Sequence, residues 1–464
     1  MTSFAGLRVH LLGIGGAGVS ALVPLLQAAG ATVSGCDGHA SATTRRLQAH
    51  GVSVEIGHDP AHIRDVDLVV HTAAVAADHP ELAAARAAGI PVMTRGECLV
   101  AVLATRRTIA VAGSHGKTST TWMLGHLLTA SGADPLVMVG GTVGSLGGGA
   151  RAGASPWAVA EVDESDGSFA RTRPQVAIVT NLDAEHLRHY GSFAALEQAF
   201  NDWLRTVPAD GLIIVPATGL SERVTAGVAA RVLTVGLDRG DWQVRDLALG
   251  ADGSTGRILA RGQDLGALTV TIPGVHMVLN AVMAAAAACF AHPTTDLGAM
   301  ATCERVRRRF TVHGHVGGVR VVEDYGHHPA EVRATIAAAR LAGGRVQVVF
   351  QPHRHSRTAD CFGEFIAAFD QAHRVALLPI YGAGEAPLPG VSSEALAAEI
   401  ARRRASAGDV PATVLATGER QLALHHVLGD AVPGDTLLIL GAGDVGDLAH
   451  DALRCAPAIP HAHA

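Results

Sequence analysis

Short apolar runs alternate with longer helical stretches from the start of the chain to its end. In the first hundred residues the apolar runs lie at 8–12, 32–35, 67–71 and 91–93. Runs of this length favour buried strands, and the segments between them have the length and spacing of helices. Alternating strands and helices are typical of a parallel sheet that has helices on its faces.

This alternation restarts twice further along the chain. A polar segment at 104–107 precedes strands at 108–112, 157–160, 176–180 and 212–215, a glycine-rich loop at 140–153 and an alanine-rich helix at 280–289. A third series of strands lies at 319–322, 346–350, 375–378 and 436–440. The predicted fold class is therefore α/β with three domains: a Rossmann-like domain at 1–106, a central domain at 107–312 and a Rossmann-like domain at 313–464.

Composition narrows the class of protein. Hydrophobic residues make up 48% of the 464 residues and charged residues 17%, which favours a packed globular protein. A net charge of −6 with only 4% aromatic residues argues against nucleic-acid binding. No signal pattern and no apolar run of about 18 residues is present, so we expect a cytoplasmic protein that does not enter a membrane. The six cysteines form no C-x-x-C pair and are expected to be reduced thiols.

A glycine-rich turn between a predicted strand and a predicted helix has the character of a phosphate-binding loop. It reads Gly113-x-x-Gly116-Lys117-Thr118, and Lys117 is the only lysine in the chain. Glycines let backbone N–H groups approach phosphate oxygens, a lysine reaches the β- and γ-phosphates, and a hydroxyl ligates Mg²⁺. All other Lys/Arg positions in this chain are arginine. The single lysine therefore indicates a position where a planar guanidinium cannot replace an ammonium. We therefore predict an ATP site here, and a P-loop ATPase-like fold for the central domain at 107–312.

Acidic and imidazole side chains follow the next two apolar strands. Residues 161–166 include Glu161 and Glu164, and residues 181–186 include Asp183, Glu185 and His186. Because ligands of open α/β sheets bind at the carboxyl ends of the strands, these groups are expected beside the phosphate loop and suit a bound Mg²⁺.

The first turn of the chain, Gly13-x-Gly15-x-x-Gly18, fits a dinucleotide fingerprint, and Asp37 follows about 20 residues later. Two interpretations are open: NAD-dependent hydride transfer, or binding of the nucleotide diphosphate end of a substrate. A dehydrogenase does not need the lysine of a phosphate loop. The presence of both motifs on one chain therefore favours the second interpretation.

Two polar segments follow strands of the third series, at 324–329 and 351–357. Arg354 and Arg357 are three residues apart and could bind a small carboxylate together. The segments are rich in histidine, but His-His-Pro and His-Arg-His do not present two imidazoles on one helical face, so a metal site is disfavoured there.

Together these motifs resemble the Mur ligases of peptidoglycan synthesis over nearly the whole chain. The matching segments, in order, are 13–18, 113–118, 161–169, 180–190, 308–310, 323–329, 350–358, 383–385 and 441–444. The resemblance implies an ATP- and Mg²⁺-dependent ligase that joins L-alanine to UDP-N-acetylmuramate through an acyl phosphate. The alternatives are a sibling ligase that reattaches a recycled peptide to the same sugar nucleotide, a dehydrogenase, and a phosphate-loop switch protein.

The resemblance also implies roles for individual residues. ATP is expected at Gly113, Ser114, His115, Gly116, Lys117, Thr118, Ser119, His276, Asn280, Arg309 and Asp324. The UDP-substrate is expected at Gly15, Gly16, Gly18, Asp37 and His71, and the amino acid at Tyr325, His327, Arg354 and Arg357. The metal ligands are expected to be Thr118, Glu161 and His186, with Glu161 a better match than Glu164. Lys117, His186 and His327 are the catalytic candidates, and the two histidines are candidate bases for the incoming amine.

Three positions depart from the family pattern. The segment 273–277 lacks the asparagine that usually follows histidine, and Met277 stands there instead. Asn280 is then the candidate for the adenine contact. Glu185 and Glu323 stand where aspartate is usual, which is not expected to abolish the chemistry.

Overall fold

The computed structural model describes residues 3–72, 75–76, 78–165, 167–185, 187–408 and 413–454. These residues form three sheets with helices between the strands, which confirms the α/β class. The strands are β1 Arg8–Leu12, β2 Thr32–Asp37, β3 Ser53–Ile56, β4 Leu68–His71, β5 Val92–Thr94, β6 Arg107–Ala112, β7 Leu136–Val143, β8 Gly148–Arg151, β9 Trp157–Glu161, β10 Val176–Val179, β11 Leu212–Pro216, β12 Arg231–Val235, β13 Trp242–Gly250, β14 Gly253–Ala260, β15 Gln263–Val270, β16 Thr311–Val316, β17 Val319–Asp324, β18 Val346–Phe350, β19 Arg374–Leu377, β20 Val414–Ala416 and β21 Thr436–Leu440.

The α-helices are α1 Ala17–Ser20, α2 Leu22–Ala28, α3 Ala42–Ala49, α4 Pro80–Ala87, α5 Arg95–Leu103, α6 Lys117–Ala130, α7 Leu187–Tyr190, α8 Phe193–Leu204, α9 Gly219–Val224, α10 Val275–Ala291, α11 Pro329–Arg340, α12 His355–Asp360, α13 Phe362–Ala368, α14 Ser393–Ser406, α15 Arg420–Leu428 and α16 Leu448–Arg454. Short 3₁₀ turns lie at Pro60–Ile63, Ser168–Arg171, Leu297–Thr302 and Asp444–Asp447. No helix in the described ranges combines the length and the apolar character needed to cross a membrane.

The first sheet is parallel, in the order β3-β2-β1-β4-β5. The glycine-rich turn leads from β1 into α1, as predicted, but the helix is interrupted at Ala21 before α2 begins. Pro24 explains this break, because a proline has no N–H to donate to the carbonyl four residues earlier and its ring crowds that carbonyl. The sequence pattern also missed β3, where only one of the four residues is buried.

The second sheet has ten strands, and its centre places β6 between β10 and β9. Both neighbours run parallel to β6, so the carboxyl ends of the three strands meet at one edge. The loop predicted at 140–153 is wrong: β7 and β8 pair as an antiparallel hairpin, and β7 also pairs with β9. Val143 and Ala150 are buried in this hairpin, which explains why a glycine-rich segment forms strands.

The third sheet has the order β16-β17-β21-β18-β19-β20. Strands β17, β21 and β18 are parallel and in register, so the residues after β17 and those after β18 lie at one edge. Strand β16 pairs antiparallel with β17 and ends the sheet.

The described chain divides into two compact units. The first comprises Met1–Asp246, Gly256–Leu268 and Leu279–Val306, and the second comprises Leu247–Thr255, Thr269–Val278 and Arg307–Ala464. Within the first unit, buried residues of both the first and the second sheet, such as Val9 on β1 and Ala110 on β6, belong to one continuous apolar core. The domain boundaries after residues 106 and 312 stay predictions.

Candidate active site

The phosphate loop connects β6 to α6 with two glycines in left-handed or related conformations. Gly113 has a φ of 128° and Gly116 a φ of 79°. A side chain would not fit at either position: a Cβ on Gly113 would lie 2.4 Å from Thr180 Oγ1. Gly116 is the N-cap of α6, and no side chain caps this helix end in the described structure. Its first N–H groups are therefore available to an anion, as a triphosphate site requires.

The residues that follow β10 hold this loop in place. Asn181 accepts a hydrogen bond from the His115 N–H at its side-chain oxygen (2.9 Å) and donates through its amide to the His115 carbonyl (2.9 Å). The Ser114 hydroxyl accepts from the Asp183 N–H at 2.9 Å, and the His115 imidazole pairs with the Asp183 carboxylate at 2.8 Å. The carboxyl ends of β6 and β10 therefore contact each other through these hydrogen bonds and this ion pair, which fix the conformation of the phosphate loop.

Lys117 lies at the centre of the loop. Its ammonium donates to the Gly113 carbonyl at 2.6 Å and to both carboxylate oxygens of Glu164 at 2.9 Å. Only 1% of the Glu164 side chain is exposed, and this burial raises the pKa of Glu164 to about 7 against the opposing effect of Lys117. Burial opposes the charge of Lys117 too, but Glu164 and the nearby carboxylates outweigh it and raise the lysine pKa. The lysine therefore stays charged at neutral pH.

Glu161 occupies a different place from Glu164. It is the last residue of β9, it is part-buried, and its carboxylate accepts a hydrogen bond from the Gly140 N–H at 2.8 Å. A Cβ on Gly140 would lie 2.5 Å from the Glu161 carboxylate, so glycine is required for this approach. Glu161 and the Thr118 hydroxyl are oxygen donors of the kind Mg²⁺ prefers, and together with the open glycine loop they fit a Mg²⁺–triphosphate. His186, the third predicted ligand, lies outside the described residues.

We expect Gly116→Ala to destabilise the protein by about 1–3 kcal/mol, because the left-handed backbone becomes strained. It should also weaken ATP binding at least about tenfold, since the new Cβ would lie 2.7 Å from the Asn280 amide nitrogen. Calorimetric ATP titration and thermal melting measure the two effects. Gly132→Ala is the matched control, because Gly132 has a similar φ of 86° but open space around it. Equal ATP affinities for the two variants would contradict the role of this loop.

The predicted UDP-substrate turn lies at the carboxyl edge of the first sheet. The Gly15 N–H donates to the Asp37 carboxylate at 2.9 Å, and a Cβ on Gly15 would lie 2.8 Å from the same oxygen. His71, the last residue of β4, has its Nδ1 3.0 Å from the Thr72 carbonyl oxygen. The hydrogen bond between Gly15 and Asp37 stabilises the glycine-rich turn. Gly16 is the N-cap of α1. Gly18 lies against Arg95, and a Cβ on Gly18 would be 3.0 Å from the Arg95 side chain.

In the second unit, Asp324 organises the segment that follows β17. Its carboxylate accepts hydrogen bonds from the Phe310 N–H at 2.8 Å and the Gly326 N–H at 2.7 Å. Burial raises the pKa of Asp324 above its usual value. Because both oxygens bind backbone groups, Asp324 shapes the turn that carries Tyr325.

The aromatic ring of Tyr325 lies under two guanidinium groups. Arg308 and Arg309 lie over it, with guanidinium carbons 4.9 and 5.2 Å from the ring centre. His327 packs edge-on against the same ring at 5.3 Å, and its Nδ1 is 3.0 Å from the Tyr325 carbonyl oxygen. Burial lowers the pKa of His327 to about 3. This imidazole is consequently neutral at pH 7.

The two predicted carboxylate-binding arginines lie after β18. Arg354 is half exposed, has a positive φ of 69°, and its guanidinium is 3.9 Å from Glu385. Arg357, in the first turn of α12, has its Nη1 3.2 Å from His353 Nδ1. His353 stacks on Tyr381 with ring centres 5.6 Å apart and lies 5.6 Å from the ring of His327. The segments after β17 and β18 thus form one polar surface.

Sequence reasoning missed several contacts around these sites. It did not predict that Glu164 pairs with Lys117 or that Tyr381 stacks on His353. It also assigned no role to Arg308, which donates to the Gly441 carbonyl at 2.7 Å, the Gly443 carbonyl at 3.0 Å and Glu323 at 2.8 Å. The match at 308–310 and 441–444 was the only signal for the Arg308 contact, and it did not indicate that the two segments touch.

Two of the residues predicted to bind ATP, His276 and Asn280, lie on α10. Asn280 is buried, and its amide lies against Gly116. Burial lowers the pKa of His276 to about 4, so this ring is neutral at pH 7. Met277 is buried, with 6% of its surface exposed.

The parallel strand ends, the glycine loop with its lysine and the flanking carboxylates define a nucleotide-binding α/β protein built for phosphate chemistry. Three family models match successive parts of it: the Mur ligase family catalytic domain at residues 8–107, the Mur ligase middle domain at 111–288, and the Mur ligase glutamate ligase domain at 308–443. The chain belongs to the Mur ligase family. The resemblance predicted from the motifs is confirmed, and the dehydrogenase and switch-protein alternatives are set aside.

Full-length relatives agree with this assignment. The chain is 43% identical over 453 residues to a protein of Sorangium cellulosum (strain So ce56) named UDP-N-acetylmuramate–L-alanine ligase, with 94% of each chain covered. It is also 43% identical over 455 residues to a protein of that name from Symbiobacterium thermophilum, with 95% of this chain and 93% of the relative covered.

Solved structures share the fold over nearly the whole chain. The UDP-N-acetylmuramate-alanine ligase MurC of Thermotoga maritima superposes with a TM-score of 0.78 at 26% identity, covering 97% of this chain and 98% of that one. A murein peptide ligase of Psychrobacter arcticus has a TM-score of 0.67 at 24% identity, covering 98% and 99%. The second likeness shows the fold alone, so it does not favour the peptide-reattaching alternative.

Proposed function

We propose that this protein is an ATP-dependent ligase that joins L-alanine to the carboxylate of UDP-N-acetylmuramate. The observation that carries the proposal is the single lysine held in a glycine loop between two carboxylate-bearing strand ends, in a chain about two-fifths identical to ligases of that name over nearly its full length. We further propose that the reaction takes place in the cytoplasm, where ATP and UDP-sugars are available.

The proposed reaction has two chemical steps. The carboxylate oxygen attacks the γ-phosphorus of ATP, which breaks the bond to ADP and forms an acyl phosphate. The amine of alanine, having lost a proton, then attacks the acyl carbon, an amide bond forms, and inorganic phosphate leaves. Lys117 neutralises charge on the transferred phosphoryl group, because its ammonium is already held in the phosphate loop by the Gly113 carbonyl.

Each group of residues has a proposed part in these steps. Mg²⁺ held by Thr118, Glu161 and His186 would neutralise phosphate charge and orient the triphosphate. The turn at 13–18 with Asp37 and His71 binds the UDP end of the substrate. Residues after β17 and β18 bind alanine. We now assign His327 to positioning rather than proton removal, because a ring whose pKa is lowered to about 3 holds a proton too weakly to take one from an amine of pKa about 8–10.

An isotope experiment tests the acyl-phosphate route. UDP-N-acetylmuramate carrying ¹⁸O in its carboxylate should transfer one ¹⁸O atom to the inorganic phosphate for each amide formed, because that oxygen bridges the acyl carbon and phosphorus. Mass spectrometry of the phosphate detects it. Phosphate that contains only solvent or ATP oxygen would exclude the proposed intermediate.

The two carboxylates near the phosphate loop should respond differently to substitution. Glu161→Gln should raise the Mg²⁺ concentration needed for half-maximal rate by roughly ten- to hundredfold, since it removes a charged metal ligand. Glu164→Gln keeps the shape of the side chain but breaks its ion pair with Lys117. This variant should therefore change the KM for ATP and leave the Mg²⁺ concentration needed for half-maximal rate near normal. Rate measurements across Mg²⁺ concentrations separate the two effects. The reverse pattern would make Glu164 the metal ligand.

A further inference from the structure

Four side chains with metal-binding atoms converge inside the first unit, among the strands and helices of the first sheet. They are His10 on β1, Cys36 on β2, His62 in the 3₁₀ turn Pro60–Ile63, and Glu81 on α4. One donor atom from each lies within 4.8 Å of those of the other three. His10, Cys36 and Glu81 are each no more than 1% exposed. The group is therefore an interior cluster and not a chance meeting of surface side chains.

Glu81 carries a negative charge in this interior. Its carboxylate accepts hydrogen bonds from the Cys36 thiol at 3.1 Å and the Asp59 N–H at 2.9 Å, and it lies 3.0 Å from His62 Nδ1. Burial opposes ionisation, but these hydrogen bonds outweigh it and lower the pKa of Glu81. Within the described residues, no arginine or lysine forms an ion pair with it. A buried carboxylate is normally balanced by a cation.

His10 directs an unused nitrogen into the same group. Its Nδ1 is 2.9 Å from the Ser34 hydroxyl, whereas its Nε2 makes no hydrogen bond and lies 3.9 Å from the Glu81 carboxylate. When Nδ1 carries the proton and donates it to Ser34, Nε2 holds the lone pair, as in histidines that ligate metals.

We propose that His10, Cys36, His62 and Glu81 bind one divalent cation of the zinc class. Two imidazoles, a thiolate and a carboxylate form a tetrahedral set suited to Zn²⁺ or Co²⁺, whereas Mg²⁺ prefers oxygen atoms only. Ligand distances of about 2.0–2.3 Å place donor atoms roughly 3.3–3.8 Å apart, so the present cluster needs only small side-chain movements. On binding, Cys36 releases its proton to solvent and a metal–sulfur bond forms. The dication then balances the thiolate and the carboxylate.

The position of Cys36 gives such a cation a structural consequence. The Cys36 carbonyl accepts hydrogen bonds from the N–H groups of Gly13 at 2.9 Å and Ile14 at 3.1 Å. The next residue, Asp37, braces Gly15. A cation held by Cys36 would therefore tie the end of β2 and the glycine turn to α4.

Cobalt titration of the metal-stripped, full-length protein tests the site. We expect one Co²⁺ per chain, a thiolate-to-cobalt charge-transfer absorption band, release of one proton from Cys36, and displacement of the cobalt by Zn²⁺ but not by Mg²⁺. Cys36→Ser should abolish the band, and His62→Gln should weaken Co²⁺ binding at least about tenfold. Cys98→Ser is the matched control, because Cys98 is equally buried and its thiol pKa is raised by burial alone.

The second variant keeps the test decisive even if Cys36→Ser does not fold, because His62 lies near the surface with 19% of its side chain exposed. Zn²⁺ should also raise the Tm of the unaltered protein and of Cys98→Ser, but raise it less for His62→Gln. The proposal is overturned by absence of the charge-transfer band, by a band that survives in Cys36→Ser, or by unchanged cobalt affinity in His62→Gln.

Discussion

Lys117→Arg is expected to lower the rate of ligation by about 100- to 1000-fold, the usual loss when a group that stabilises transition-state charge is misplaced. The ammonium fits a small space, 2.6 Å from the Gly113 carbonyl and 2.9 Å from both oxygens of Glu164. A guanidinium is planar and longer, so it cannot occupy this space and meet the γ-phosphate in the same way. Steady-state rates with all three substrates at saturation measure the effect.

Two controls accompany this variant. A melting curve shows whether the variant folds. Because Lys117 is the only lysine, an amine-reactive reagent can modify only this side chain and the terminal amine of the unaltered protein, and Mg²⁺–ATP should protect Lys117 from modification. Near-normal turnover by Lys117→Arg, or labelling of Lys117 that ATP does not slow, would refute its assignment to the phosphate site.

Arg357→Ala and Arg354→Ala are each expected to raise the KM for L-alanine by about 10- to 100-fold. Each removes one charged hydrogen-bond donor to the alanine carboxylate, worth about 1.5–3 kcal/mol. The Arg357 guanidinium lies 3.2 Å from His353 Nδ1, and Arg354 is half exposed and 3.9 Å from Glu385, so both guanidinium groups belong to the polar surface after β18. The KM for UDP-N-acetylmuramate should change little. Kinetics with each substrate varied in turn measure this.

Arg402→Ala is the matched control for both arginine variants. Arg402 is on α14, its side chain is 70% exposed, and its ion pair is with Glu399 on the same helix, so its loss should not alter any KM. A normal KM for alanine in both test variants would remove these arginines from the alanine site. A fall in Tm with equal changes for every substrate would instead assign them a structural role.

The fold was largely predictable because many of its strands, such as β10 and β18, are short, apolar and fully buried. The run at 176–179 and the run at 346–350 have no polar side chain at the surface, so their pattern identifies them directly. The hairpin β7–β8 and the edge strand β3 were missed because glycines and exposed residues hide the pattern. Their pairing depends on neighbouring strands that are distant in the sequence.

The candidate site was predictable wherever one segment carries the chemistry, as in the phosphate loop. Contacts between segments were not. Nothing in the local sequence indicates that Glu164, and not Glu161, lies against Lys117. Glu161 ends β9 and Glu164 comes three residues later, so only the path of the chain after the strand separates them. Cys36 was expected to be one of several unremarkable thiols, because its partners come from three other elements and leave no spacing signature.

Phosphate release by the purified protein, measured with each substrate omitted in turn, tests the central claim most directly. The account predicts rapid release from ATP only when Mg²⁺, UDP-N-acetylmuramate and L-alanine are all present, with one UDP-N-acetylmuramoyl-alanine formed per phosphate. Phosphate release that continues at the same rate without either the UDP-sugar or alanine, and without an amide product, would contradict it.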